Sequence, residues 1–392
     1  MKKLFTLALT TITLLASYTT FAQEVDPAEI PQNALTTAVP FMGIAPDSRA
    51  GAMGDAGVAT SPDAYSQYWN SSKYAFTKDR MGFAISYTPW LKKLVDDMSL
   101  TYLSAFYKLD KDQTFGASMR YFSMGAINFT DEQGNEWSTF NPNEFSFDAS
   151  YNRKLGKNFA LGVVGRFIYS NLTGGLTNGA GEASSVGTSG AVDINGYYNN
   201  DIEVSGYDAS WAMGFNISNL GSKLSYTEDE KNFIPTNLRL GGSFTIDIDD
   251  YNSLTAAVDF NKLLVPSPPV RQGDTLIVAG KDNEVGVITG VFQSFSDAPG
   301  VAGLTPFQEE LSEINVSVGA EYWYAEQFAV RAGYFHESKY KGARKYATAG
   351  IGLRMNVFGL DFSYLIPTGG SFNNSPLAGT WRFSLIFNMA NL

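Results

Sequence analysis

Between residues 97 and 388 apolar and polar positions alternate almost continuously, and this period of two is what most restricts the fold. Met98, Leu100, Tyr102 and Phe106 share one face of their segment, opposite Asp97, Ser99 and Thr101. Further on, Tyr207, Ala209, Trp211, Met213, Phe215 and Ile217 fall on one side, with Asp208, Ser210, Gly214 and Asn216 on the other. Side chains that point alternately to two faces belong to strands. So many amphipathic strands need a cover for their oily faces, and no long helical stripe is present to build a second layer. Lipid is the expected cover. The fold predicted is all-β, a transmembrane antiparallel β-barrel.

The N-terminus sets the compartment. Lys2 and Lys3 precede an apolar run from Leu4 to Ala16, and Thr20-Phe21-Ala22 places small residues at a cleavage site before Gln23. Residues 1–22 therefore read as a secretory signal peptide, too short in its apolar core for a permanent span. Cysteine is absent, which excludes disulfides, thiolate metal sites and lipoprotein acylation. No later segment reaches 18 consecutive apolar residues, so helical spans are not expected. The net charge of −11 argues against nucleic acid as a partner. Mean hydropathy of −0.11 suits barrel strands, which average one oily and one wet face.

Thirteen strands are predicted, near 81–89, 97–108, 113–124, 143–154, 157–171, 204–219, 236–248, 251–262, 312–324, 326–337, 344–357, 358–367 and 378–390. Bacterial barrels close with an even number, so a fourteenth is expected within 187–200 or 221–227. Short turns alternate with long connections at 125–142, 172–203 and 263–311, the pattern of tight periplasmic turns and long outer loops. Within the last, Asn283–Phe295 has the spacing of a short amphipathic helix. Residues 23–80 form an N-terminal segment distinct from the barrel of 81–392. Its small-residue stretch Ala45–Pro62 predicts short turns packed in a confined space. Tyr87, Trp90, Tyr322, Trp323, Tyr324, Tyr334 and Trp381 lie near strand ends, where interfacial aromatic belts form.

Charges recur on the wet faces. Arg120, Arg166, Arg239, Arg331, Arg354 and Arg382 are matched by Asp97, Asp148, Asp208, Asp259, Glu321 and Asp361. An ion-selective pore would line up one sign. A balanced set predicts an interior in which charges pair with one another and with a plug. Catalysis has little support, because His336 is the only histidine and lies at a strand end. Gly51, Gly54 and Gly57 follow no strand, so they read as close-packing positions rather than a nucleotide loop. No cofactor is expected, although the lumen has room for lipid or detergent.

The segment Ala45–Asn70 resembles the N-terminal hallmark of the FadL-type barrel superfamily through Arg49, Gly54, Asp63, Trp69 and Asn70, with Asp55 beside Gly54 and Ser71-Ser72 where those proteins have Pro-Ala. The chain as a whole resembles the PorV family of type IX secretion proteins, carried by Pro46–Phe76, Gln293–Gly300 and Glu309–Tyr324. That resemblance implies a fourteen-stranded barrel in the bacterial outer membrane, with the N-terminal segment plugging the lumen. It also implies a non-enzymatic shuttle, with the type IX translocon, the sortase and attachment complex, and cargo proteins bearing C-terminal signal domains as partners. A FadL-like transporter of hydrophobic small molecules is the competing reading.

Overall fold

The computed structural model describes residues 33–130, 136–172, 174, 185–227, 230–273, 276–368 and 375–389. The expected signal peptide and residues 23–32 lie outside these, as does most of the tip of the 172–186 connection.

Fourteen antiparallel strands close into a barrel. In chain order they are β1 (Met81–Pro89), β2 (Ser99–Lys108), β3 (Gln113–Ser123), β6 (Asn143–Lys154), β7 (Phe159–Asn171), β8 (Gly187–Val204), β9 (Tyr207–Gly221), β10 (Asn237–Asp249), β11 (Asn252–Leu263), β14 (Asn315–Tyr324), β15 (Phe328–His336), β16 (Lys345–Met355), β17 (Phe358–Pro367) and β18 (Trp381–Met389). Closure comes from β1 pairing with β18, for example Phe83 opposite Phe387. Two small hairpins, β4 (Ile127–Thr130) with β5 (Glu136–Phe140) and β12 (Val270–Gln272) with β13 (Leu276–Ala279), stand outside the barrel.

The alternation is visible along single strands. In β7, Val163 and Phe167 are exposed on the outer face while Val164, Arg166 and Ile168 are buried. A row of exposed Phe, Val, Leu and Tyr around a closed barrel is a surface for hydrocarbon, not water.

The structure corrects two expectations. The proposed outer loop 172–203 is mostly strand: β8 begins at Gly187 and pairs with both β7 and β9, which puts the expected fourteenth strand at the first of its two candidate places. Its Gly, Ser and Asn content reads as a loop. Its backbone groups are nonetheless paired on both edges, and small residues fit an inner face crowded by other chain. In β2, Leu100, Tyr102 and Phe106 are buried inside rather than turned to lipid, where Leu103 and Tyr107 stand instead. The cause is an interior that is itself partly apolar: Tyr102 packs on Tyr65 and Phe106 on Tyr74.

Those interior rings belong to the N-terminal segment. Residues 38–77 contain two short helices, α1 (Ser48–Ala52) and α2 (Ser66–Trp69), with 3-10 turns at Pro40–Gly43 and Ser71–Phe76, and nearly every side chain there is buried. The long connections gather at one end of the barrel. The 263–314 connection carries the second hairpin and two helices, α3 (Val287–Gln293) and α4 (Pro306–Ser312). Helix α3 falls within the predicted Asn283–Phe295. A capping box, Thr305 with Gln308, starts α4.

Candidate functional site

Local capping shapes the N-terminal segment. The Asp47 carboxylate accepts the Ala50 N–H at 2.9 Å, which starts α1, and its other oxygen accepts the Trp69 indole N–H at 2.6 Å. Asn70 accepts the Ser72 N–H to begin the next turn and donates to the carbonyls of Val58 and Gly196. The glycines pack closely: a Cβ on Gly57 would sit 2.4 Å from the Trp69 ring, and one on Gly54 (φ +69°) would meet the Tyr334 backbone at 2.6 Å. Ser71 and Ser72 hydrogen-bond Asn152 and Asn195 of the wall.

Arg49 ties this segment to the barrel. Its Nε and Nη2 hold both oxygens of Glu321, at 2.9 and 2.7 Å, and Nη1 reaches Asp63 at 2.9 Å. The Ser61 carbonyl and hydroxyl accept the remaining two donors. All five guanidinium N–H groups are used, the arrangement that makes a buried arginine tolerable. Asp55 accepts the Tyr346 hydroxyl at 2.5 Å and lies 3.6 Å from Arg382.

Along the wall the predicted charges separate into groups. Arg331 bridges Glu321 at 2.6 Å and Asp361 at 2.8 Å, and Arg354 closes on Asp361 from the other side. Arg166 holds Asp148 at 2.6 Å and Asp193 at 2.9 Å. Asp259 makes no ion pair within 4 Å among the described residues; one oxygen accepts the N–H groups of Gly57 and Val58. Arg120 donates to the Met42 carbonyl at 2.8 Å and lies over the Tyr68 ring. Arg239 lies over Trp69 and Tyr68, at 4.7 and 5.4 Å. Asp97 and Asp208 are not interior. Asp97 precedes β2 in an exposed turn, where it accepts the Ala126 N–H, and Asp208 is exposed beside the β8–β9 turn. Asp97 lies before its strand begins, and Asp208 lies at the exposed start of β9, so alternation misplaces both. Trp323 also faces inward, beneath Arg331 and Arg354.

At the long-loop end, a second charge cluster braces the 263–314 connection. Lys262 bonds Glu313 and Glu310, while Lys341 bonds Glu309 at 2.7 Å and Glu313 at 2.9 Å. Buried Glu309 also accepts the N–H groups of Gly300 and Val301, and Glu310 those of Asp297 and Ala298. Burial works to raise the Glu309 carboxyl, but the Lys341 hydrogen bond and these amides outweigh it and hold it below its usual range. Burial, with the charges of Glu310 and Glu313, pushes Asp297 up to about 6. With Glu309 and Gly290 facing inward, the opposite helix faces present Phe307 with Leu311, and Ile288 with Phe292. Phe292 is 73% and Phe307 70% exposed.

Residues 27–270 match the family described as "Type IX secretion system protein PorV". The chain belongs to the PorV family. It is thus a type IX secretion component with a transmembrane-type barrel, consistent with the outer membrane. No curated protein matches its sequence. Similar solved structures include the Pseudomonas putida toluene transporter TodX (11% identity, 88% of this chain, 99% of that chain, TM-score 0.48). The Ralstonia pickettii toluene transporter TbuX has 10% identity, coverage of 88% and 98%, and a TM-score of 0.44. A Pseudomonas aeruginosa FadL homologue has 10% identity, coverage of 91% and 99%, and a TM-score of 0.42. Likeness of this grade says nothing of ligand or activity.

Several residues of this PorV-family interior escape sequence reasoning. Asp193 completes the Arg166 pair but sits in the stretch that reads as a loop. Lys73, buried, donates to the Gly57 carbonyl and Thr60 hydroxyl. Glu309 and Glu313 lie in the β11–β14 connection and Lys341 in the β15–β16 connection, where charge normally means solvent. A signal was present only for Asp193, in the alternation of Ala191, Asp193 and Asn195.

Proposed function

We propose that this chain is the outer-membrane carrier of type IX secretion. It binds C-terminal signal domains of exported cargo at the translocon and hands them to the cell-surface sortase and attachment complex. The observation that carries the reading is the 263–314 connection. Ion pairs from Lys262 and Lys341 hold it rigid, and it offers two apolar i, i+4 pairs, Ile288–Phe292 and Phe307–Leu311, away from the barrel. Burying one such phenylalanine in a partner contributes roughly 1.5–3 kcal/mol. A pre-ordered loop loses little entropy on docking.

The N-terminal segment serves as a standing plug. Its contacts with Glu321, Asp259, Asn195 and Arg382 reach widely separated strands, which weighs against the alternative of a passage for hydrophobic small molecules. Deleting the gene and fractionating the culture tests the reading: signal-domain proteins should vanish from surface and medium and accumulate in the periplasm. A strain carrying Phe292→Ser and Phe307→Ser should share the defect with normal amounts of folded barrel. Normal secretion after deletion, with impaired uptake of hydrophobic nutrients, would reject it.

A further inference from the structure

At the long-loop end a cavity of about 500 Å³ opens between the N-terminal segment and the connections, a volume typical of ligand sites. Phe41 and Ile44 from the segment, and Trp90 and Met124 from the connections, make its walls apolar. Four arginines line it, Arg166, Arg239, Arg344 and Arg382, against one carboxylate, Asp55. Three of them have acceptors: Arg166 has Asp148 and Asp193, Arg344 has Glu337, and Arg382 has the Ala45 carbonyl and Asp55. Arg239 differs. It lies over ring faces, with the Asp259 carboxylate of the neighbouring strand within reach of its charge, and no acceptor among the described residues takes any of its five N–H groups.

Two positions away on the same inward face of β10 is Asn237, 6% exposed and also lining the cavity. Its amide nitrogen donates one N–H to Asn261 at 2.6 Å, while its side-chain oxygen is buried with no donor. A guanidinium with no hydrogen-bond acceptor and an amide oxygen with no donor thus lie two positions apart on one strand. A buried acceptor left without a donor is costly, and in a recognition site it is met by the ligand.

We propose that this cavity binds the free C-terminus of a peptide: the terminal carboxylate on Arg239, a backbone N–H near that terminus on Asn237, and apolar side chains against the Phe41, Ile44 and Trp90 walls. The proposal rests on the carrier reading and names the part of the cargo signal that this pocket takes. A fatty-acid anion would satisfy Arg239 and the walls but offers no donor to Asn237, which is why a peptide is favoured. Planar pairing of guanidinium with carboxylate, on an arginine already oriented by aromatic rings, makes the contact directional.

Calorimetry on the full chain in lipid nanodiscs decides the matter, with acetyl-Leu-Phe-Leu as free acid, the same peptide as its C-terminal amide, and laurate as probes. The free acid should bind at least tenfold tighter than the amide. Arg239→Gln should abolish that difference, and Asn237→Asp, which places a second carboxylate in the pocket, should weaken the acid by a similar factor. Arg239 has no hydrogen-bond acceptor among the described residues, and heat-modifiable gel migration checks the folding of each variant. Equal binding of acid and amide overturns the proposal, as does absence of binding, or Arg239-dependent laurate binding that the peptide does not match. Secretion separates this from the parent reading. If the deletion strain secretes normally, the carrier reading fails. If deletion blocks secretion while Arg239→Gln binds the acid as wild type does, only the pocket assignment fails.

Discussion

Replacing Arg49 with methionine tests whether charge pairing, rather than apolar packing, seats the N-terminal segment. The side chain is buried and donates five hydrogen bonds, three of them to the carboxylates of Glu321 and Asp63. Removing one partner of a buried pair costs about 3–5 kcal/mol. The lower end applies here, because Glu321 keeps Arg331 at 2.6 Å and Asp63 keeps the Tyr65 N–H at 2.9 Å. A loss of about 3 kcal/mol raises the open population of the segment roughly 100-fold. The Gly54 and Gly57 amides report it directly, since they donate across to Thr348 and Asp259 of the wall. Hydrogen exchange in nanodiscs should show these amides about 100-fold faster, with the strand amides of β16 and β17 unchanged. Arg49→Lys should recover part of the protection, because a single ammonium cannot hold Glu321 and Asp63 in the same planar geometry. Exchange at Gly54 and Gly57 within about threefold of wild type in Arg49→Met would refute the reasoning and assign the anchoring to Tyr65, Trp69 and Tyr74.

Two further outcomes follow from the same geometry. Arg331, wholly buried between Glu321 and Asp361, should cost about 3–5 kcal/mol as Arg331→Met, whereas Arg354→Ala, whose side chain is 22% exposed, should cost about 1 kcal/mol; equal shifts in the temperature of the folded-to-unfolded gel transition would contradict the network. The second concerns Asp297. Its carboxyl is raised to about 6 in the folded loop against about 3.8 when free, so its ionisation opposes the folded loop and stability is lost as pH rises through 6. Glu309, held below its usual range, loses its contribution only under more acidic conditions. After correction for intrinsic rates, the Ala298 and Gly300 amides should therefore exchange faster at pH 8 than at pH 5, and Asp297→Asn should flatten the difference. An unchanged pH dependence in that variant would show that Asp297 is not the titrating group.

Strand existence was legible because a two-residue period survives any tertiary context. Orientation was less so. For β2, the apolar side of Leu100, Tyr102 and Phe106 suggested lipid, and nothing local distinguishes a hydrocarbon exterior from an interior lined by Tyr65 and Tyr74. Within β8, a run of Gly, Ser and Asn has the composition of a loop; it is a strand because β7 and β9 supply both hydrogen-bonding edges. Among the candidate charges, Arg166, Arg331, Arg354 and Glu321 sit in mid-strand and find partners inside. Asp97 and Asp208 lie where pairing ends, and there parity no longer fixes the side.

Taken alone, the chain of residues determined an antiparallel barrel with apolar outer faces, an N-terminal segment of small residues bearing Arg49, and a likeness to the PorV family. Each of these depends on spacing along the backbone or on short contiguous motifs. The tertiary structure decided which charges meet: Arg49 with Glu321 across 272 positions, Lys341 with Glu309 and Glu313, and Arg239 with the rings of Trp69 and Tyr68. Closing the sheet brings distant residues together by strand register and barrel curvature, quantities that no local pattern encodes. The same closure leaves the oxygen of Asn237 without a donor and the guanidinium of Arg239 without a hydrogen-bond acceptor among the described residues, on two residues that line one cavity.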